Sequence, residues 1–251
     1  MFRVGIIGCG IIGNTLKNWL EENNPECKLF INDPPKGYND NLDNIDIAFI
    51  QIHIPTEKDG TQNLNLLKEL INKLPNVPVF IRTTILPGTS EKLTKETGHK
   101  VYFMPEFLTE RTCNEDFNNQ PMIFTGEYKL LSKIFIGKNY ITMTSLEAEL
   151  TKYMHNVFGA LKVTYFNACY DYCKTLGANW ENIHKGILLS GYINDVHTQV
   201  PGPDGKFGYG GKCFPKDVDA FTKSTEKTPL GILLKPIHKL NSYFRKLSIS
   251  K

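Results

Sequence analysis

The sequence contains no apolar run long enough to cross a bilayer and no cluster of basic residues typical of nucleic-acid binding. Its formal net charge is only +3, because 29 Lys and Arg are interspersed with 26 Asp and Glu. The six cysteines are irregularly spaced, so no disulfide framework is expected, and a strand-like run from residue 2 replaces a signal peptide. We therefore expect a cytoplasmic protein with no nucleic-acid and no membrane partner.

A glycine-rich turn follows the first apolar run of the chain. Residues 2–7 are β-branched and apolar, residues 8–13 read Gly-Cys-Gly-Ile-Ile-Gly, and residues 14–22 are helix-like. A strand, a glycine turn and a helix in this order form a dinucleotide-binding unit, and an acid about twenty residues further on binds the ribose 2′-OH. The pattern predicts NAD as cofactor, with the contacts Gly8, Gly10, Ile11, Ile12, Gly13 and Asp33. The alternative for Asp33 is a turn residue before two prolines, which is compatible with ribose binding.

Strand-like runs then alternate with helix-like stretches. Apolar runs at 47–52, 77–83 and 101–104 are mostly separated by helical stretches such as 64–74 and 90–97. This alternation predicts a doubly wound parallel sheet of Rossmann type, completed by short strands at 122–125 and 140–143, in a domain of residues 1–144. Ligands bind at the carboxyl ends of such strands, where Pro55, Thr56, Thr84 and Glu106 lie.

The second half of the chain, residues 145–251, is predicted to be an all-helical domain with one long helix. Thr144 and Glu147 have the spacing of a capping box, and no strong helix breaker occurs before Gly177. An apolar stripe consists of Leu146, Leu150, Tyr153, Val157, Leu161, Thr164 and Ala168. Its burial against the sheet domain or a second subunit predicts a homodimer through the helical domain. Lys152 and Asn156 share one face, so this pair is a candidate for a polar task rather than only solvated residues.

A single thiol lies between a glycine loop and the predicted start of another helix. The residues from 208 to 217 read Gly-Tyr-Gly-Gly-Lys-Cys-Phe-Pro-Lys-Asp. Helix N–H groups and the neighbouring cations Lys212 and Lys216 favour a thiolate at Cys213, which indicates a nucleophile rather than a buried structural cysteine. Cys169 and Cys173 have no further ligand at metal spacing, so core packing is favoured for them and no metal site is predicted.

These segments resemble the UDP-glucose/GDP-mannose dehydrogenase family. The cysteine segment resembles its G-x-G-G-x-C-[FL]-P-K-D motif, and residues 54–56, 83–89, 105–110 and 149–156 resemble its V-P-T, S-T-V-x-x-G-T, P-E-F-L-x-E and E-L-x-K-Y-x-x-N segments. The resemblance implies oxidation of the C6 alcohol of a nucleotide sugar to the acid, through a thiohemiacetal and a thioester on Cys213. It also implies that Lys152 and Asn156 bind substrate and oxyanion, that Asp217 and Thr84 organise water and protons, and that Glu106 is a base.

The resemblance further implies two sets of binding residues. The cofactor contacts would include Pro55, Thr56, Thr84, Glu110 and Lys216, and the substrate contacts would include Glu106, Phe107, Leu108, Lys152, Asn156, His197, Phe207, Gly208 and Gly210. The chain departs from the family at His53, at Leu86 and Pro87, and at His197, where many members have a substrate-binding arginine. His53 is expected to be a loop or cofactor-facing neighbour rather than a base, and His197 either contacts substrate or only shapes its loop.

Typical members continue into a second α/β domain that binds the nucleotide, so the resemblance implies that this chain holds two of the three family domains. Two alternatives to the nucleotide-sugar dehydrogenase stay open. A single-step dehydrogenase of the β-hydroxyacid or 6-phosphogluconate type also carries Lys-x-x-x-Asn on a helix, but the cysteine argues against it. A non-catalytic NAD-binding scaffold would have no use for the thiol.

Overall fold

The structure is a computed structural model, and it describes residues 1–57 and 59–247. The chain forms two compact units. The first comprises residues 1–55 and 62–152, and the second comprises residues 56–61 and the chain from Tyr153 onward. The sequence-based boundary followed Thr144, whereas the chain leaves the first unit after Lys152, inside a helix.

A six-stranded sheet is the centre of the first unit, with the strand order β3-β2-β1-β4-β5-β6. All neighbours pair in parallel except β2 and the short β3, which are antiparallel. The strands are β1 (Phe2–Ile7), β2 (Cys27–Asp33), β3 (Tyr38–Asn39), β4 (Ile47–Ile50), β5 (Val79–Ile81) and β6 (Val101–Phe103). The helices of this unit are α1 (Ile11–Asn23), α2 (Asn65–Asn72), α3 (Thr89–Thr97), α4 (Cys113–Asn119) and α5 (Tyr128–Ile134). This order confirms the predicted Rossmann-type fold.

The sheet is buried on both faces because alternate residues of its central strands enter two separate cores. Ile6 and Phe49 pack with Leu16 of α1 in one cluster. Ile7 and Ile50 pack in the other cluster, which includes residues of α2 and α3. Continuous apolar runs in β1 and β4 are therefore explained by helices on both sides of the sheet.

The prediction that short strands at 122–125 and 140–143 complete this sheet is wrong. The strands are present as β7 (Met122–Phe124) and β8 (Tyr140–Thr142), but they do not join the six-stranded sheet. They form a separate two-stranded parallel sheet. At the edge strand β6, the hydroxyl of Thr125 donates to the Phe103 carbonyl over 2.8 Å, and the Phe103 N–H donates to the Ser145 hydroxyl over 3.2 Å. Side chains thus satisfy edge groups that a further strand would otherwise pair.

The long helix α6 (Ser145–Thr175) is present as predicted. Its capping box is formed, because the Thr144 N–H donates to the Glu147 carboxylate over 2.7 Å and the Glu147 N–H donates back to the Thr144 hydroxyl over 3.3 Å. Helices α7 (Trp180–Leu189), α8 (Phe214–Ser224) and α9 (Pro229–Leu247) follow. None of the described helices is long and apolar enough to span a membrane.

In the second unit, α6 is covered on only part of its surface. Tyr153 stacks on Phe221 of α8 with ring centroids 4.9 Å apart, and Val157 and Thr164 are also buried. Three of the seven residues of the predicted apolar stripe are thus buried, Leu150 and Leu161 are partly buried, and the first and last members, Leu146 and Ala168, are exposed. Cys169 and Cys173, expected in the core, are only partly buried. A different apolar face of α6 remains exposed, with Met154, Phe158, Tyr165, Tyr172 and Leu176.

Candidate active site

The glycine turn after β1 has the shape of a phosphate-binding loop. Gly8 has a φ of +85°, which favours glycine, and a Cβ on Gly13 would lie 2.1 Å from the Gly8 carbonyl oxygen. A Cβ on Gly10 would meet no heavy atom within 4 Å, so there is space beside this residue at the start of α1. These residues fit a dinucleotide, with the N–H groups of Ile11 and Ile12 at the helix N-terminus as donors to its pyrophosphate.

Asp33 lies at the end of β2, next to this loop. Its Oδ2 accepts a hydrogen bond of 2.7 Å from the Cys9 N–H, and the Lys36 ammonium donates to the Cys9 carbonyl over 2.7 Å. Burial raises the pKa of the Cys9 thiol, although Lys36 partly opposes this effect. Asp33 is therefore part of the loop's structure in addition to its predicted role.

A glutamine that sequence reasoning missed holds the loop around Thr84. The Gln62 amide donates to the Thr84 carbonyl over 3.1 Å, and its oxygen accepts from the Leu86 N–H over 2.9 Å. Thr84 is 8% exposed. Gln62 thus fixes the N-terminal side of the loop at Leu86 and Pro87, where the chain departs from the family pattern. No sequence signal distinguishes Gln62 from a surface residue.

Lys152 and Glu106, predicted separately, form one buried ion pair. The Lys152 ammonium bonds to the backbone carbonyl of Glu106 and lies 3.2 Å from Glu106 Oε1. Their side chains are only 5% and 9% exposed. The Leu108 N–H donates to Glu106 Oε2 over 2.7 Å, and the ammonium lies 5.2 Å from the centroid of the Phe107 ring. Both charges are therefore compensated, as buried charges must be.

Glu149, one turn before Lys152, fixes this part of α6 to the start of α3. It is fully buried and accepts hydrogen bonds from the Gly88 N–H over 2.6 Å, the Ser90 N–H over 2.9 Å and the Ser90 hydroxyl over 2.6 Å. Burial raises the pKa of Glu149, while the bonds from Ser90 and Gly88 act in the opposite direction. The acid orients the turn of α6 that carries Lys152.

In the second unit, Cys213 immediately precedes α8 and is exposed. Asp217, one turn further on, is 1% exposed, and its Oδ2 accepts a hydrogen bond of 2.6 Å from the Asn156 amide. Its Oδ1 is paired with the Lys216 ammonium. The His155 ring nitrogen Nδ1 lies 3.1 Å from the Asn156 amide oxygen. The hydrogen bond between Asn156 and the buried Asp217 therefore joins α6 to the start of α8, and Lys216 forms an ion pair with the same carboxylate.

Helix α9 packs against one side of the glycine loop that precedes Cys213. A Cβ on Gly208 would lie 2.4 Å from the Asn241 amide oxygen, and one on Gly210 would lie 2.6 Å from the Arg245 guanidinium. The Asn241 side chain bonds to the Tyr209 N–H over 2.7 Å and to its carbonyl over 3.0 Å. The Gly208 N–H donates to Asn167 of α6 over 2.9 Å. Asn167 and Asn241, which the sequence did not identify as site residues, therefore hold the loop in place. The substrate contacts of Gly208 and Gly210 stay predictions.

His197 is held in a constrained conformation near the same helix. Its φ of 63° lies in the left-handed region, and its ring contacts the Phe214 ring edge-on with centroids 5.1 Å apart. Burial lowers the pKa of His197, and Lys162 and His155 lower it further. A neutral imidazole here differs from the arginine of many family members. Its contact with substrate remains a prediction.

The other predicted residues are placed as follows. Phe207 lies beside Tyr170 with ring centroids 5.5 Å apart. Pro55, His53 and Glu110 are exposed, and Thr56 is partly buried in the second unit. The cofactor contacts of Pro55, Thr56 and Glu110 are not tested by these positions.

Comparisons with known proteins agree with these features. Residues 146–242 match the model of the UDP-glucose/GDP-mannose dehydrogenase family, central domain. The UDP-glucose 6-dehydrogenase of Rickettsia bellii is 31% identical over 201 residues, which cover 72% of this chain and 45% of the relative. The GDP-mannose 6-dehydrogenase of Pseudomonas aeruginosa is 29% identical over 204 residues, with 70% and 46% covered. The chain therefore spans about half the length of the curated relatives it matches.

The fold also has close structural neighbours. A UDP-glucose dehydrogenase from the archaeon Pyrobaculum islandicum superimposes with a TM-score of 0.82 at 22% identity, covering 97% of this chain and 68% of that chain. This likeness concerns the fold. Together with the central-domain match and the curated relatives, it places the chain in the UDP-glucose/GDP-mannose dehydrogenase family.

Proposed function

We propose that this protein oxidises the C6 alcohol of a nucleotide sugar to the carboxylate, with NAD as the oxidant. The observation that supports this most directly is the exposed Cys213 at the start of α8, one turn from a buried Asp217 that is bonded to Asn156. A dehydrogenase that stopped at the aldehyde would have no use for a nucleophile supported in this way.

The proposed reaction balances as a four-electron oxidation. Two molecules of NAD, bound in succession, would each accept one hydride from C6, and water supplies the second carboxylate oxygen. The Cys213 sulfur adds to C6 of the aldehyde, and the resulting thiohemiacetal becomes a thioester when the second hydride leaves. Attack of water then breaks the C–S bond and releases the acid and the thiolate.

The chain's own side chains supply the required charges and proton acceptors. Lys152 donates hydrogen bonds to the oxygen on C6 as negative charge develops there, and Asn156 donates through its amide. Asp217 and Thr84 orient water and transfer protons. Glu106 accepts the proton of the water that attacks the thioester. Because Lys152 and Glu106 are already paired, the acid and the cation are positioned before substrate binds.

The loop geometry and Asp33 favour NAD over NADP. A carboxylate next to the ribose repels a 2′-phosphate but accepts a hydrogen bond from a free hydroxyl. The substrate contacts that we propose are Phe107, Leu108, His197, Phe207, Gly208 and Gly210, in addition to Glu106, Lys152 and Asn156. The relatives act on UDP-glucose or GDP-mannose according to their names, so these two sugar nucleotides are the first substrates to test.

The decisive experiment compares the wild type with Cys213→Ala in the presence of NAD and each sugar nucleotide. The wild type should form two NADH per sugar consumed without free aldehyde. The variant should bind NAD with nearly unchanged affinity, because the glycine loop is in the other unit, but should form no acid. One NADH per substrate in the wild type, or acid formation by the variant, would favour the single-step dehydrogenase instead. NAD binding without turnover of any sugar would favour the scaffold.

A further inference from the structure

Arg82 is the largest fully buried side chain of the described residues, and nothing in the proposed mechanism uses it. It directly follows β5, and its backbone N–H continues the sheet by donating to the Ile50 carbonyl over 2.8 Å. The side chain is 1% exposed. Burial lowers the pKa of its guanidinium to about 10, an effect that Glu106 partly opposes, so the group is still charged at neutral pH.

The guanidinium is incompletely bonded. Within the part of the chain that the structure describes, its Nε and Nη1 atoms have no hydrogen-bond partner. Its one aromatic contact in that part is with Phe117 of α4, whose ring centroid is 5.3 Å away. Buried donors of a charged group are costly to leave without acceptors, so an acceptor from outside the chain is expected.

A small cavity joins Arg82 to the proposed base. It has a volume of about 20 Å³ and is lined by Arg82, Glu106 and Gln120 together with apolar residues such as Phe107. A volume of about 10–15 Å³ is enough for one water molecule, provided that polar groups surround it. Here a cation can donate to the water, and a carboxylate can accept from it. Two buried cations, Arg82 and Lys152, lie near the single carboxylate of Glu106. This balance of charges also favours a water molecule that bridges the Arg82 guanidinium and the Glu106 carboxylate.

We propose that Arg82 is a positioning residue for Glu106, acting through one water molecule bound between its guanidinium and the Glu106 carboxylate. Lys152 and the Leu108 N–H hold Glu106 from other directions. The water adds a hydrogen bond to the carboxylate, and the guanidinium stabilises its charge. Glu106 is thus oriented for the hydrolysis of the thioester. The expected effect on thioester hydrolysis rests on the proposed function, whereas the presence of the water molecule does not depend on catalysis.

The kinetic test measures each chemical step in Arg82→Met and Arg82→Lys. Arg82→Met should slow acid release by about tenfold, a part of the roughly 10²- to 10⁴-fold that a positioned base contributes. Both NADH of the first turnover should form at the wild-type rate, so the thioester should accumulate on Cys213 and be visible by mass spectrometry. Arg82→Lys should recover most of the loss. In a Glu106→Gln background, Arg82→Met should have no further effect on hydrolysis.

The matched control is Lys138→Met. The Lys138 ammonium also lies over the Phe117 ring, at 5.4 Å from its centroid, and bonds to the Phe117, Asn118 and Gln120 carbonyls. The Lys138→Met substitution removes a cation from the Phe117 ring, as Arg82→Met does. It should lower the melting temperature of the protein without accumulation of the thioester. Equal slowing of every step in both methionine variants, or full additivity of Arg82→Met with Glu106→Gln, would overturn the positioning role.

A crystal structure of the wild type at high resolution tests the water site independently. Density for one water between Arg82 and Glu106, kept in a structure of Arg82→Lys but lost in one of the stably folded Arg82→Met protein, is the expected result. A dry cavity or a direct contact between the two side chains would overturn the inference. If the wild type oxidises no sugar nucleotide but the water is present, the proposed function fails while the water site stands.

Discussion

At the scale of the residue, Asp33 has two tasks that a single substitution can separate. Its carboxylate accepts the Cys9 N–H over 2.7 Å, and its charge is predicted to exclude a 2′-phosphate. Asp33→Asn keeps an acceptor for Cys9 but removes the charge, whereas Asp33→Ala removes both. We expect Asp33→Asn to reduce the preference for NAD over NADP by about tenfold, which corresponds to about 1.4 kcal/mol.

Titration of both cofactors into the wild type and the two variants measures this preference. Asp33→Ala should weaken the binding of NAD more than Asp33→Asn does, because the Cys9 N–H then loses its acceptor. Tighter binding of NADP than of NAD by the wild type would show that Asp33 is a turn residue only. Lys36, which donates to the Cys9 carbonyl of the loop, would then be the candidate cation for binding a 2′-phosphate.

At the scale of the element, the contact between α6 and α8 depends on a glycine inside a helix. A Cβ on Gly159 would lie 2.7 Å from the Phe214 ring, next to Cys213. Gly159→Ala should therefore displace Phe214 and lower acid formation, and we expect a loss of about 1–3 kcal/mol in the free energy of unfolding from overpacking. Gly186 in α7 is the control, because a Cβ there meets no heavy atom within 4 Å.

Gly186→Ala should stabilise the protein by about 0.5–1 kcal/mol, since alanine loses less backbone entropy in a helix. Denaturant unfolding of the two variants gives the comparison directly. Equal stabilisation by both substitutions would mean that Phe214 does not pack against α6 in solution, and that the start of α8 is positioned in another way.

At the scale of the whole molecule, we predict a homodimer through the exposed apolar face of α6. Met154, Phe158, Tyr165, Tyr172 and Leu176 are each at least 52% exposed and recur at helical spacing. Apolar patches of this extent on a soluble protein typically mark an interface. Phe158→Glu should give a monomer by light scattering at micromolar concentration. Ile232→Glu, which changes a residue 73% exposed on α9, should leave the dimer intact. A monomeric wild type would contradict the prediction.

The local sequence determined most of the elements and indicated the candidate reactive groups. The glycines of the dinucleotide loop, the capping box of α6 and the proline after Cys213 act within a few residues, so their spacing already specifies the backbone. The residues that hold these groups were not predictable. Gln62, Asn167 and Asn241 look like ordinary polar residues in the sequence, and the motif that contains Glu149 does not reveal its bonds to Gly88 and Ser90.

Only the tertiary structure decided which of these polar residues are buried and what each one bonds. Glu106 meets Lys152 across 46 positions of the chain, and Asn156 meets Asp217 across 61. The strands β7 and β8 form their own sheet, and side chains bond to the backbone groups of Phe103 at the edge of β6. Such contacts depend on where distant segments pack, and hydrophobic spacing along one segment carries no information about its distant partner. The sequence alone could therefore identify the candidate reactive groups, but the fold was needed to show how these groups are paired.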